Sequence, residues 1–386
     1  MNRSFLVHKV FILILIISSA LYGDWAEETL ENLSIQEKVG QLLVVPASPK
    51  FQSKTLEKVL ETYHIGGVLI KQGHPLIQIP FLNHLQKKST IPLMVFGDAE
   101  WGLGMRMEST LSFPKNGILG SHISKIQEVG EWIGKHCRLV GIHMNLAPVV
   151  DVNNNPNNPI IGIRSFGDDP NHVAKCGAQM IQGMHKGGAL CCAKHFPGHG
   201  DTDVDSHVGL PRIPHSLEHL ESVEFVPFKK AIESGVDAMM TGHLMVPSLD
   251  ADFPATLSRK VVHDLLRERL GFKGLIITDA LNMKALSERY SSSEIAKQSL
   301  LAGHDLLLYG AHRYNDIEAI LEDIIPVVFK ALCDVPEEIL NMHVLKVLKA
   351  KEKLGLHINH ETELSSSLMH ELFHPEAKAL IEELSR

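Results

Sequence analysis

Residues 188–207 read Gly188-Ala-Leu-Cys-Cys-Ala-Lys-His-Phe-Pro-Gly-His-Gly-Asp-Thr-Asp-Val-Asp-Ser-His207, and the stretch divides at Lys194. The first part, 188–193, is an unbroken apolar run without polar alternation. That is the pattern of a strand buried on both faces, as parallel strands are. The second part, 194–207, puts three His, three Asp and one Lys into a segment punctuated by Pro197, Gly198 and Gly200. A Gly/Pro loop at the end of a rigid strand is where function concentrates. This segment is therefore the first place to look for chemistry.

Working outward, the same continuous apolar signature recurs at 41–45, 67–70, 93–96, 143–150, 238–241, 275–278 and 305–309, which with 189–193 predicts eight strands. Amphipathic stretches fill the gaps. After Ser53, a favourable N-cap, Leu56, Val59, Leu60 and Tyr63 keep one helix face. After Pro170, suited to a first helical turn, Val173, Cys176, Gly177, Met180, Ile181 and Met184 do the same. After Ser258 the face is Val261, Val262, Leu265, Leu266 and Leu270, with Gly271 as the stop.

Strands alternating with helices describe either a (β/α)8 barrel or a doubly wound open sheet. The polar residues separate the two. Six strands end in Lys71, Asp98-Ala-Glu100, Asp151, Lys194-His195, His243 and Asp279. A barrel gathers its strand ends at one mouth, whereas an open sheet spreads them along an edge, so the pattern favours an α/β fold of the TIM-barrel type. One catalytic domain is predicted over 24–356, closing with helical sequence from 336 to 356. The polar tail at 357–386 is expected to pack peripherally.

The 386 residues are 44 % hydrophobic, enough for a large core, and carry a net charge of −8 with acidic and basic residues interspersed. That distribution lacks the basic stripe of a nucleic-acid-binding protein. The five Cys have no C-x-x-C spacing and lie mostly in apolar runs, so they are read as buried free thiols, not as a disulfide framework or a zinc site. Arg3, His8 and Lys9 precede the apolar run 10–17 and the small residues Ser18, Ser19 and Ala20. This is the pattern of a secretory signal peptide over 1–23. The run is short for a membrane span, and no Cys follows it to carry a lipid. Export to the periplasm or beyond is expected, with an uncleaved N-terminal tether as the alternative.

Asp279 lies within Gly274-Leu-Ile-Ile-Thr-Asp-Ala-Leu-Asn-Met283, where it ends an apolar strand. A carboxylate there serves as nucleophile, base or metal ligand, or simply caps the next helix. Asp205-Ser-His207 offers a second group, since a carboxylate beside an imidazole orients it and suits it to proton transfer near neutrality. His195 and His199 have the spacing of a metal-binding helix, but Pro197, Gly198 and Gly200 forbid that helix. A metal-dependent hydrolase on this His-rich loop thus remains an alternative of lower standing. Asp98 and Arg106 flank a loop containing Trp101 and Gly102, and Arg164 follows the Asn/Pro-rich run 145–158. Charged groups beside an aromatic fit the recognition of sugar hydroxyls.

On these residues the chain resembles the family 3 glycoside hydrolases, specifically their β-N-acetylhexosaminidase branch, over about residues 34–355. Lys194-His-Phe-Pro-Gly-His-Gly-Asp-Thr followed by Asp205-Ser-His207 is similar to the loop that defines the branch. Asn145-Leu-Ala-Pro-Val-Val-Asp-Val, Arg164-Ser-Phe-Gly and Thr278-Asp-Ala-Leu-Asn-Met resemble its other motifs. The resemblance implies that Asp279 is a nucleophile forming a covalent glycosyl-enzyme and that His207, held by Asp205, is the acid/base. It implies that Asp98, Arg106, Arg164, Lys194 and His195 grip the terminal sugar. The implied substrates are N-acetylglucosamine-containing oligosaccharides or muropeptides from the cell wall, with no metal and no cofactor.

A β-glucosidase or a glycoside phosphorylase of the same family is the nearest alternative, because a neutral His acid/base adds no charge that would repel a phosphate acceptor. The loop after Asp98 departs from the family pattern by reading Ala-Glu-Trp-Gly-Leu-Gly, so Trp101 is expected to alter what lies beside the site. The second α/β domain of larger members is not expected within these 386 residues. Gly198 and Gly200 are expected to act as hinges that let the acid/base complete the site once substrate is bound.

Overall fold

The structure is a computed structural model that describes residues 25–50, 54–203, 209–311 and 314–385. The predicted signal peptide, the expected N-cap Ser53, and Asp205 and His207 lie outside the described residues.

Eight parallel strands follow the predicted order: β1 (Leu43–Ala47), β2 (Gly67–Ile70), β3 (Met94–Gly97), β4 (Met144–Asn145), β5 (Leu190–Phe196), β6 (Ala238–Thr241), β7 (Leu275–Thr278) and β8 (Leu307–Leu308). Each pairs with its sequence neighbour, and β1 also pairs with β8. The bridge between Ile277 and Leu306, with Thr278 N–H donating to Leu306 O at 3.1 Å, brings β7 against β8. The sheet closes into a (β/α)8 barrel, as the polar strand ends predicted.

The strands are apolar throughout because both faces are covered. Val45, Val68, Val95, Cys191, Met239 and Ile276 face the surrounding helices. Val44, Leu69, Phe96, Cys192, Met240 and Ile277 fill the barrel interior. Alternation is present but joins apolar to apolar, which leaves the sequence looking continuous.

Helices follow the same logic. Asp169 caps Pro170–Lys186, its carboxylate accepting from His172 N–H at 2.6 Å. Ser258 Oγ accepts from Val261 N–H at the start of Lys260–Arg269, and Gly271 ends it with φ +70°. Several expected strand bounds shift, at β1, β3, β4, β5 and β8, and those of β1 and β4 shift most plainly. The first strand begins at Leu43 instead of residue 41, because Gln41 closes the helix Ile35–Gln41 and its side chain bonds His64 O and Lys351 Nζ. The strand expected at 143–150 forms a regular ladder only at Met144–Asn145, and beyond it the chain stays beside β5 through the isolated bridge between Val149 and Lys194, with Val150 N–H donating to Lys194 O at 2.9 Å.

The predicted helix near the end is Glu337–Lys353. The tail then forms Leu368–Leu372 and Pro375–Leu384, whose Leu372, Ala377 and Leu380 are buried. Cys137, Cys176, Cys191 and Cys192 are buried free thiols and Cys333 is a half-buried one. Among the described residues, no helix is long and apolar enough to cross a membrane.

Candidate active site

The C-terminal ends of the strands surround a cavity of about 580 Å³. Its floor is the top of the barrel core, where Leu69, Leu146, Met240 and Leu308 look upward. Asp98, Arg106, Arg164, Lys194, His195 and Asp279, six residues singled out from the sequence, all line this one cavity. Asp205 and His207 lie outside the described residues.

β5 runs further than expected, so Lys194 and His195 belong to the strand and not to the loop after it. The peptide between them is cis, and the pairing with β6 shifts register between Lys194 and Phe196. Lys194 Nζ lies 3.2 Å from Asp98 Oδ1 and 2.9 Å from Glu100 Oε1. Asp98 Oδ2 accepts from Arg106 Nη2 at 3.1 Å. Glu100 takes Arg164 in a fork, Nε to Oε2 at 3.0 Å and Nη2 to Oε1 at 2.7 Å. Such bidentate pairing fixes the guanidinium plane, which a single contact does not.

The charges hold one another in place. Burial opposes ionisation of Asp98, but Lys194, Lys71 and Arg106 outweigh it and keep the carboxyl well below its usual range. Burial likewise opposes ionisation of Glu100, and Lys194 and Arg164 bring it down to about 2. For Lys194, burial favours the neutral amine, yet Asp98 and Glu100 raise its pKa. Lys71, on the strand end beside it, goes the other way: burial lowers its pKa more than Asp98 restores it.

Asp279 follows β7, with its backbone N–H donating to Thr241 O at 3.1 Å and Oδ1 accepting from Ala280 N–H at 2.7 Å. Burial raises its pKa, but His243, His195, the Ala280 N–H and Lys194 together leave it lowered, so it stays anionic. Its second oxygen, Oδ2, is not committed to that backbone bond.

Three residues that the sequence reading left without a role complete the site. Glu100 is 2 % exposed, and both its oxygens are taken by Arg164 and Lys194, so it positions those cations. Asp151 is fully buried and accepts from His195 Nδ1 at 2.7 Å, from His195 N–H at 3.1 Å and from His199 N–H at 2.8 Å. An ionised Asp151 accepts from Nδ1–H and so fixes the orientation of the cavity-lining ring. His243 donates from Nε2 to Ala280 O at 3.0 Å and so braces the turn that carries Asp279. The available signal was placement, since all three follow a strand.

His199, the second His of the spacing considered for a metal, bonds Thr202 Oγ1 through Nδ1 at 2.9 Å, and burial together with His195 lowers its pKa to about 4. Trp101 does stand beside the site. It lines the cavity, and Lys115 Nζ lies 5.1 Å from the centre of its ring.

The packing gives Gly198 and Gly200, the expected hinges, a second reason to be glycine. Both are buried. A Cβ on Gly198, at φ +130°, would stand 2.7 Å from Glu224 Cγ, and one on Gly200 would stand 1.7 Å from Val152 O. These glycines permit close approach of neighbouring segments.

Comparison with known proteins agrees with this geometry. Residues 34–350 match the model of the glycosyl hydrolase family 3 N terminal domain. Beta-hexosaminidase A of Pseudoalteromonas piscicida is 35 % identical over 280 residues, which cover 66 % of this chain and 47 % of that protein. Beta-hexosaminidase LpqI of Mycobacterium tuberculosis is 34 % identical over 289 residues, covering 72 % of this chain and 73 % of the other. The structure of a glycoside hydrolase family 3 beta-N-acetylglucosaminidase from Paenibacillus superposes with a TM-score of 0.83 at 34 % identity, covering 92 % of this chain and 68 % of that one. Against the Pseudoalteromonas relative, this chain thus spans about half the length. The barrel, its charged mouth and the family match over most of its length place the chain among the family 3 glycoside hydrolases.

Proposed function

We propose that this protein is a retaining, exo-acting β-N-acetylglucosaminidase. The observation that carries the proposal is an anionic Asp279 at the end of β7, in the same cavity as the Asp98–Lys194–Glu100–Arg164 ion network. The cavity, at about 580 Å³, is of the size that takes a small-molecule ligand, and the network offers charged donors and acceptors at fixed positions for the hydroxyls of a terminal sugar.

In this reading an Asp279 oxygen attacks the anomeric carbon while the glycosidic C–O bond breaks. His207, oriented by Asp205, gives its proton to the departing oxygen. A glycosyl ester on Asp279 results. The neutral imidazole then removes a proton from water, the water oxygen bonds to the anomeric carbon, and Asp279 leaves as carboxylate. Retaining glycosidases commonly divide these roles between two carboxyl groups. An imidazole in the second role titrates near neutrality without the burial that a carboxylic acid would need.

The names of the relatives support N-acetylglucosamine as the sugar. The substrates proposed are N-acetylglucosamine-containing oligosaccharides or muropeptides derived from peptidoglycan. The leader-like sequence at 1–23 supports an exported enzyme, periplasmic or secreted.

Incubation with a 5-fluoro-N-acetylglucosaminyl fluoride, followed by peptide mass mapping, tests the central step. The expected outcome is one sugar mass on the peptide carrying Asp279, absent from Asp279→Ala. A sugar trapped on another residue, or full turnover by Asp279→Ala, overturns the assignment.

A further inference from the structure

Outside the cavity, the segments that flank residues 204–208 bring together imidazole and carboxylate groups for which the proposed chemistry has no use. His215 and His219 stack with ring centres 4.0 Å apart and planes 26° from parallel. His219 Nε2 lies 3.6 Å from Glu224 Oε1. One donor atom from each of His215, His219 and Glu224 falls within 4.8 Å of the other two. His215 Nε2 also contacts Asp201 Oδ2 at 2.5 Å. None of these four residues lines the catalytic cavity.

A second observation concerns hydrogen bonding. Glu224 is 1 % exposed, and Asn154 Nδ2 donates to its Oε1 at 3.2 Å. Its other oxygen, Oε2, and His219 Nε2 are buried and have no hydrogen-bond partner among the described residues. Buried polar atoms are nearly always satisfied, and exceptions call for a missing water or ion. Here an acceptor oxygen and a ring nitrogen, each lacking a partner, belong to adjacent members of a His/His/Glu set. The chain goes out of its way to bring Glu224 in, since only glycine fits at position 198 against its side chain.

We propose that His215, His219 and Glu224 bind a divalent cation of the zinc class, with Asp201 backing His215. Two imidazoles and a carboxylate form a donor set typical of such ions. Donors sharing one zinc at normal bond lengths lie roughly 3.3 Å apart. The 3.6 Å between His219 and Glu224 is already close to that, and small side-chain rotations bring the third donor in. Asp201 supplies the carboxylate contact that orients a ligating imidazole or completes a four-ligand set. His215 and His219 are half-buried, which leaves the ion a route from solvent. Asp201 stands before residues 204–208 and His215 after them, so the cation would tie together the two sides of the segment expected to carry the acid/base.

The test uses the full chain, stripped with a chelator, dialysed, and titrated with zinc chloride by calorimetry, with native mass spectrometry for stoichiometry. One ion per chain is expected for the native sequence. Glu224→Gln, which keeps the shape, is expected to weaken binding about tenfold or more, and His219→Ala likewise. Asp279→Ala is expected to bind as the native chain does. If no ion is taken up, or Glu224→Gln binds unchanged, the proposal is overturned and Glu224 and His219 share a proton instead. Binding that is lost in His207→Ala but kept in Glu224→Gln overturns it too, placing the ion on the catalytic loop. The result does not depend on whether the chain cleaves N-acetylglucosaminides.

Discussion

Glu100 Oε1 lies 2.9 Å from Lys194 Nζ and 2.7 Å from Arg164 Nη2, so one buried carboxylate on the β3 side fixes two cations from different parts of the barrel mouth. Lys194 also reaches Asp98, which in turn holds Arg106. Asp98, Glu100, Arg106, Arg164 and Lys194 therefore form one connected network, and they are not independent grips on a substrate.

Glu100→Gln keeps the volume but removes the charge. Lys194 and Arg164 are then left short of a counter-charge, which for buried partners costs about 3–5 kcal/mol. Both cations are also freed to move, and misplacement of about 1 Å can cost about 100-fold in rate. The expected outcome is a clear drop in unfolding midpoint and a fall in kcat/KM of about that size on an aryl N-acetylglucosaminide. Native-like kinetics in this variant would show that the network does not position the site.

Asp151→Asn tests the orientation of His195. The native carboxylate accepts from Nδ1 and from two backbone N–H groups, and burial is outweighed by His195 and His199 so that its pKa is lowered. An amide cannot accept at every one of these contacts, so the His195 ring loses the bond that orients it in the cavity. A loss of about 10- to 100-fold in kcat/KM is expected. The same substitution in a His195→Ala background is expected to cost little more, because both changes act through one ring. Additive losses would argue that Asp151 acts elsewhere.

Much of this architecture was legible because parallel strands buried on both faces write themselves as continuous apolar runs, as at β2, β6 and β7, whose bounds match the sequence reading residue for residue. Asp98, Lys194, His195 and Asp279 were legible because each ends or follows a strand, and a barrel turns that linear regularity into one mouth, whereas Arg106 and Arg164 lie in short turns further along the loops. Glu100 and Asp151 were visible as polar strand ends, but their roles arise from partners 64 and 44 residues away, and no local pattern records such pairings. The packing role of the glycines was hidden for the same reason. In a loop, Gly198 and Gly200 read as freedom, whereas the neighbours that require them, Glu224 and Val152, come from distant segments.

The concentration of buried carboxylates also fixes how the fold responds to acid. Asp98, Glu100, Asp151, Asp279 and Asp305 all have lowered pKa values, in each case because cations or hydrogen-bond donors outweigh burial. Each therefore gives up its proton more readily in the folded chain than in the unfolded one. In the window between the two values the unfolded state binds more protons, so stability rises with pH there. The contribution is complete above the ordinary carboxylate range and is lost as pH falls through the folded values. For Glu100 the window runs from 4.5 down to about 2, and the linkage amounts to about 3 kcal/mol. Urea unfolding at pH 7, 4 and 3 is expected to show a midpoint that falls steeply below pH 4.5. Glu100→Gln, already weaker at pH 7, is expected to lose less over the same interval, because one of the linked groups is gone. Parallel curves for the two proteins would mean that Glu100 ionises no more easily in the fold than in the unfolded chain, and the ion network would then not hold it charged.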